Sequence, residues 1–124
     1  MELKVYISGK VTGEPDLPCF VKFEEMEKRI RKFGIRTIIN PRKLGITPTW
    51  TWDDAMVVCM TVLKNNANCI VMLNDWKDSN GAKDEYNHAV KHNYLIIHEH
   101  ELDDILTKAR AEFKWLDTSH YEFP

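Results

Sequence analysis

Short, unbroken apolar runs alternate along this chain with longer stretches whose apolar residues recur every three or four positions. The runs are Lys4–Ser8 (Lys-Val-Tyr-Ile-Ser), Arg36–Ile39, Ile70–Leu73 and Tyr94–Ile97. All four read as short β-prone strands, and Ile70–Leu73, apolar without alternation, reads as a parallel strand covered on both faces. The periodic stretches read as amphipathic helices. Pro18–Phe33 turns Phe20, Phe23, Met26, Ile30 and Phe33 inward, and Gly34 closes it. Thr51 or Asp53 caps a second helix that runs to about Asn65, with Met56, Met60 and Leu63 inward. A third starts near Gly81, capped by Ser79 or Asn80, and a fourth covers 101–116 through Leu102, Ile105, Leu106, Ala109, Phe113 and Leu116. Strand alternating with helix predicts an α/β three-layer, Rossmann/flavodoxin-like domain over 1–116. Its sheet is expected to be mainly parallel, with four to five strands and the first one central; 117–124 is a C-terminal tail.

Right-handed crossovers put every strand-end loop of such a sheet on one edge, where ligands sit. Two loops there carry candidate chemistry. The loop Asn74–Asn80 leads from the third strand into the third helix. A helix N-terminus directly after a strand favours an anion, through its free N–H groups and its dipole. Glu85 lies one turn inside and shares a face with the small residues Gly81 and Ala89, which permit close approach; the competing reading is a solvated helix glutamate. The loop Gly9-Lys10-Val11-Thr12-Gly13 follows the first strand. Its glycines are spaced too loosely for a dinucleotide fingerprint, and an ordinary strand-to-helix turn competes. Asn40, at the end of the second strand, either contacts a ligand or makes a turn. Trp50 and Trp52 are expected to pack, with a pocket or subunit interface as the alternative. His98 and His100 alternate without a third ligand, so neither a metal nor another cofactor is expected.

The 124 residues fit one domain, and a formal net charge of −2 argues against a general nucleic-acid binder. No apolar run reaches membrane-spanning length. Cys19, Cys59 and Cys69 lack ligand-like spacing and read as reduced, packing thiols. With an opening Met-Glu-Leu-Lys-Val-Tyr that lacks a basic-then-apolar pattern, they suggest a cytoplasmic protein without membrane or nucleic-acid partners.

Three segments together carry a resemblance: Lys4-Val5-Tyr6-Ile7-Ser8-Gly9; Gly34 with Ile39-Asn40-Pro41; and Trp76-Lys77-Asp78-Ser79-Asn80-Gly81-Ala82-Lys83-Asp84-Glu85 with Ala89. The chain resembles the nucleoside 2-deoxyribosyltransferase-like superfamily, most closely its uncharacterised DUF4406 branch of bacterial and phage proteins. The resemblance implies that Glu85 is a nucleophile attacking the anomeric carbon of a nucleoside or nucleotide, and that Tyr6 orients it. Ser79 falls where relatives acting on free nucleosides carry an aspartate, and where nucleotide N-hydrolases carry a serine that meets the 5′-phosphate. A neutral hydroxyl beside a helix N-terminus tolerates a phosphate that an aspartate would repel. Gly9, Lys10, Asn80 and Gly81 would complete the phosphate cradle, and Asn40 would join the binding residues. Relatives are usually homodimers or higher homo-oligomers, so the same is expected here.

The chain also departs from the pattern. Where relatives carry an aspartate that assists the departing base, it reads Val57-Val58-Cys59-Met60-Thr61, and Ala67-Asn68 replaces the usual Cys-Asp. Asp53, Asp54 and Asp75 are the nearby acids left to substitute. General acid help is worth about 10² to 10⁴ in rate. Two readings therefore stand side by side: an N-glycosidase or deoxyribosyltransferase-like enzyme, and a non-catalytic nucleotide-binding protein that senses or sequesters its ligand.

Overall fold

A computed structural model describes residues 2–113, the side chains through Arg110. The strands are β1 (Lys4–Ser8), β2 (Thr37–Ile39), β3 (Cys69–Met72) and β4 (Leu95–His98). The helices are α1 (Asp16–Arg31), α2 (Trp52–Asn66), α3 (Asn80–Lys91) and α4 (Leu102–Phe113). The sheet has four strands in the order β2-β1-β3-β4. Every pairing is parallel, with Tyr6 opposite Ile39 on one side and Ile70 on the other. The expected parallel α/β architecture is borne out, with β1 and β3 central.

Strand periodicity divides the core in two, because successive side chains leave opposite faces of a strand. Val5, Ile7, Cys69, Val71 and Ile97 pack against Cys19, Phe23, Met26 and Ile30 of α1 and Leu102 and Leu106 of α4. Tyr6, Ile70 and Met72 face the other way, against Cys59 and Leu63 of α2 and Ala82 and Ala89 of α3. The layers are therefore α1/α4, sheet, and α2/α3.

The boundaries differ from the sequence reading where capping chemistry decides. α1 begins at Asp16, after Pro15. Pro18 falls inside its first turn, where a missing N–H costs no intrahelical bond. Its inward face is set by Cys19, Phe23, Met26 and Ile30, while Phe20 is only half-buried. Thr51 caps α2 by accepting from Asp54 N–H, and Ser79 caps α3 by accepting from Ala82 N–H. Gly34 adopts φ +86° after α1, and Asn93 adopts φ 58° after α3, a left-handed position that asparagine tolerates. The fourth helix is described to Phe113, and the tail placed at 117–124 lies outside the described residues. Among the described residues, no helix is long and apolar enough to cross a membrane.

Candidate functional site

β1 delivers the first side chains of the site. Tyr6 and Ser8 are two residues apart, so both leave the sheet on the α2/α3 side. α3 enters that side over the end of β3. Its helical period turns Gly81, Ala82, Glu85 and Ala89 inward, and all four are buried. Glu85 is thus a carboxyl group 5% exposed, and the solvated-glutamate alternative is excluded. It is held at both oxygens: Tyr6 Oη donates to Oε2 at 2.6 Å, and Ser8 Oγ donates to Oε1 at 2.7 Å. Bonds this short to a carboxylate are in the charge-assisted range.

The electrostatics follow from burial. Desolvation pushes the Glu85 carboxyl up to about 7; the Tyr6 and Ser8 hydrogen bonds pull against it, and Asp84 adds a push upward. Burial, then the Glu85 charge, raises the Tyr6 phenol well above its ordinary value. Cys59, on α2, is pushed up to about 11, first by burial and then by Glu85, with the Tyr6 hydrogen bond opposing. The centre is therefore a carboxyl raised toward neutrality and flanked by two neutral donors.

Tyr6 and Glu85 line a cavity of about 530 Å³, as do Gly9, Cys59, Ser79 and Gly81. It is also lined by the loop after β1 (Val11–Glu14), by Ile46, Pro48 and Trp50 from the segment before α2, and by Trp52, the first residue of α2. That volume lies within the roughly 300–1,000 Å³ typical of small-molecule sites. Two glycines permit the close approaches around it. A Cβ on Gly9 would fall 2.6 Å from Leu73 Cδ1 and 2.9 Å from its Cβ, and one on Gly81 would fall 2.9 Å from Met56 Sδ. A smaller adjoining cavity of about 300 Å³ is lined by Lys10, Thr12, Trp52, Asp78, Ser79 and Asn80.

The structure thus brings Tyr6, Gly9, Ser79, Gly81 and Glu85 to one cavity, with Lys10 and Asn80 on its neighbour. Asn40 is a correction. It is buried, its Oδ1 accepts from Arg42 N–H and its Nδ2 donates to Glu27, so its amide organises the turn after β2. For Trp50 and Trp52, expected to pack with a pocket or subunit interface as the alternative, the pocket alternative holds. They stay 42% and 44% exposed and wall the cavity. The three acids proposed to substitute are elsewhere. Asp53 and Asp54 lie on the exposed first turn of α2. Asp75 accepts from Lys22 Nζ at 2.6 Å and from Lys10 N–H at 3.0 Å. The acids that line the cavity are Glu14, ion-paired with Lys22, and Asp16, ion-paired with Arg42, besides Glu85 itself. Ser8 was missed, although its place two residues after Tyr6 signalled a shared face. Among the described residues no group of three or more His, Cys, Asp or Glu side chains is set to hold a metal ion.

A family model described as Domain of unknown function (DUF4406) matches residues 3–98. That span includes β1 through β4 and every residue of the site just described. No curated protein and no solved structure matches the chain.

Proposed function

Since the chain belongs to the DUF4406 family, whose description leaves its chemistry open, we propose from the site itself that it binds a nucleoside 5′-monophosphate and cleaves its base–sugar bond through Glu85. The observation that carries this reading is the 2.6 Å bond from Tyr6 to a buried Glu85 in the lining of a cavity whose wall includes the Ser79-capped start of α3. A carboxylate in a dry, shaped cavity suits an oxocarbenium-like sugar, as in retaining glycosidases. The resemblance to nucleoside 2-deoxyribosyltransferase-like enzymes points the same way.

In this reading the phosphate sits at Ser79 and the first turn of α3, with Gly9 leaving room and Lys10 and Asn80 at the neighbouring cavity. The ionised Glu85 attacks the anomeric carbon as the glycosidic C–N bond breaks, and the bonding pair leaves with the base. The base takes a proton from solvent, because burial keeps the Cys59 thiol a weak acid. Water then hydrolyses the glycosyl ester and returns the carboxylate, or a second base accepts the sugar. The raised carboxyl of Glu85 means that its ionised fraction, and hence the rate, rises as pH passes through about 7. Val11, Trp50 and Trp52 are part-exposed around the mouth, which fits the homo-oligomeric assembly we include in the proposal.

The test is chromatographic detection of free base from a panel of ribo- and deoxyribonucleoside 5′-monophosphates. Wild type is expected to release base and Glu85→Gln to release none; equal release by the two, or none from wild type, removes the reading. A second reading, nucleotide binding without turnover, is favoured by one observation: Cys59 lines the cavity from α2, and the stretch Val57–Thr61, where the resemblance implies an aspartate, holds no acid. Calorimetric binding of the same panel without base release selects it. Sedimentation over a range of protein concentrations tests the assembly separately, and a monomer throughout would refute it.

A further inference from the structure

Ser8 is fully buried at the end of a strand whose other buried residues are Val5, Tyr6 and Ile7. A buried hydroxyl without a partner loses its hydration for nothing, and alanine would fill the same space without that cost. The partner it finds is Glu85 Oε1 at 2.7 Å. Tyr6 occupies Oε2, so the two carboxylate oxygens have separate donors two residues apart on β1. Tyr6 and Glu85 line the cavity, and Ser8 is not among its lining residues.

We propose that Ser8 is a positioning residue that works through Glu85, fixing the plane of its carboxylate and keeping it ionised enough to act; this rests on the reading of Glu85 as the nucleophile. The terminal torsion of a glutamate is broad and two-fold. One donor at one oxygen leaves that torsion loose, whereas donors at both oxygens define the plane. The donors also offset the burial of the charge. The other titratable groups bearing on Glu85 are Tyr6 from β1, Cys59 from α2 and Asp84 on its own helix. Cys59 is neutral near pH 7, and Asp84 disfavours the ionised form. Ser8 and Tyr6 are thus the two side chains that donate to the carboxylate and favour its ionised form. A serine hydroxyl can also rotate to accept from a protonated carboxyl. Its bond to the ionised form is the stronger of the two, so its net effect is to favour ionisation.

The experiment compares wild type, Ser8→Ala and Ser8→Thr by carbon-13 NMR titration of labelled glutamate carboxyls, assigned through Glu85→Gln. The Glu85 midpoint is expected to rise by about one pH unit in Ser8→Ala, the size of one hydrogen bond to a charged group. Ser8→Thr, which retains the hydroxyl, is expected to restore it. A midpoint unmoved in Ser8→Ala overturns the proposal. Where base release is measurable, the rising limb of kcat against pH moves upward by the same amount in Ser8→Ala and kcat recovers only in part at high pH, the remaining loss reporting the loosened carboxylate plane, with KM little changed. A uniform loss at every pH marks a merely structural serine and overturns it too. Absence of turnover in wild type removes the nucleophile reading, while the titration still judges the clamp.

Discussion

At the scale of single residues, Glu85 is costly to the fold. An ordinary glutamate carboxyl has a pKa of 4.5, and burial holds this one at about 7. The folded state therefore keeps a proton that the unfolded chain releases between those values. Stability from this group is intact below about 4.5, falls as pH rises toward about 7, and then levels off. The span corresponds to about 3 kcal/mol, as an order of magnitude. Glu85→Gln removes the charge while keeping the shape, and its amide can pair with Tyr6 and Ser8 by rotation of their hydroxyls. The variant is expected to melt close to wild type near about pH 5 and several degrees higher near about pH 9. Thermal melts across that range check it, and a gap that does not widen with pH would contradict the buried, proton-holding carboxyl. The sequence placed Glu85 beside Gly81 and Ala89 on one helix face, and that small-residue face is what lets α3 bury it. No local pattern showed its partners: Tyr6 was named only through the resemblance, and Ser8 was not named. Tyr6 and Ser8 lie 79 and 77 positions away, and only the sheet brings them together. Asn40 shows the converse. Its place at a strand end suggested a ligand contact, but Glu27 on α1, a partner no local pattern reveals, takes its amide.

At the scale of elements, Ser79 combines two roles that substitution can separate. Its hydroxyl accepts from Ala82 N–H at 3.1 Å and so caps α3, and in the proposed function the same oxygen faces a phosphate. Ser79→Ala removes both and is expected to cost about 1 kcal/mol in urea unfolding. Ser79→Asp keeps a good cap, so stability should stay within about 0.5 kcal/mol of wild type. Its carboxylate, however, confronts the phosphate at close range, and monophosphate affinity should drop by about tenfold or more. Affinity for the corresponding nucleoside should change far less. Calorimetry with the two ligands measures the ratio, and a parallel loss of both would deny Ser79 any phosphate role. Element identity was the most legible feature of this chain, because apolar runs and helical periods are local. Cap choice was nearly so: Ser79 and Thr51 were named with one alternative each, and both proved to be caps. The segment from Arg42 to Thr51 was least legible. It has no period, and tertiary packing decides its path, so Trp50 and Trp52 could not be placed on the cavity wall from composition.

At the scale of the whole molecule, the site depends on two loops leaving adjacent central strands, and a charged tether outside the cavity core joins them. Lys22 of α1 donates to Lys10 C=O at 2.8 Å, Glu14 Oε1 at 3.2 Å and Asp75 Oδ2 at 2.6 Å. Asp75 Oδ1 closes the loop by accepting from Lys10 N–H. Burial pushes the Lys22 ammonium down, but the Asp75 and Glu14 hydrogen bonds more than offset it and leave it raised. With Lys22 and Asp75 only about a quarter exposed, at 26% and 27%, the contacts are partly shielded from water. Lys22→Met retains most of the aliphatic stem and removes all three donations. Because Asp75 keeps its bond to Lys10 N–H, the global cost should be modest, about 1 kcal/mol. The local effect should be larger. Amide hydrogen exchange is expected to quicken across 9–14 and 74–79 while β1 and β3 keep their protection, since loops open at lower free energy than the core. Uniform acceleration over the whole chain would mean that Lys22 supports the fold as a whole and no particular pair of loops. If the loops alone loosen, bound nucleoside monophosphate should slow their exchange again in wild type and less so in Lys22→Met, because the variant must order both loops on binding before any contact contributes affinity.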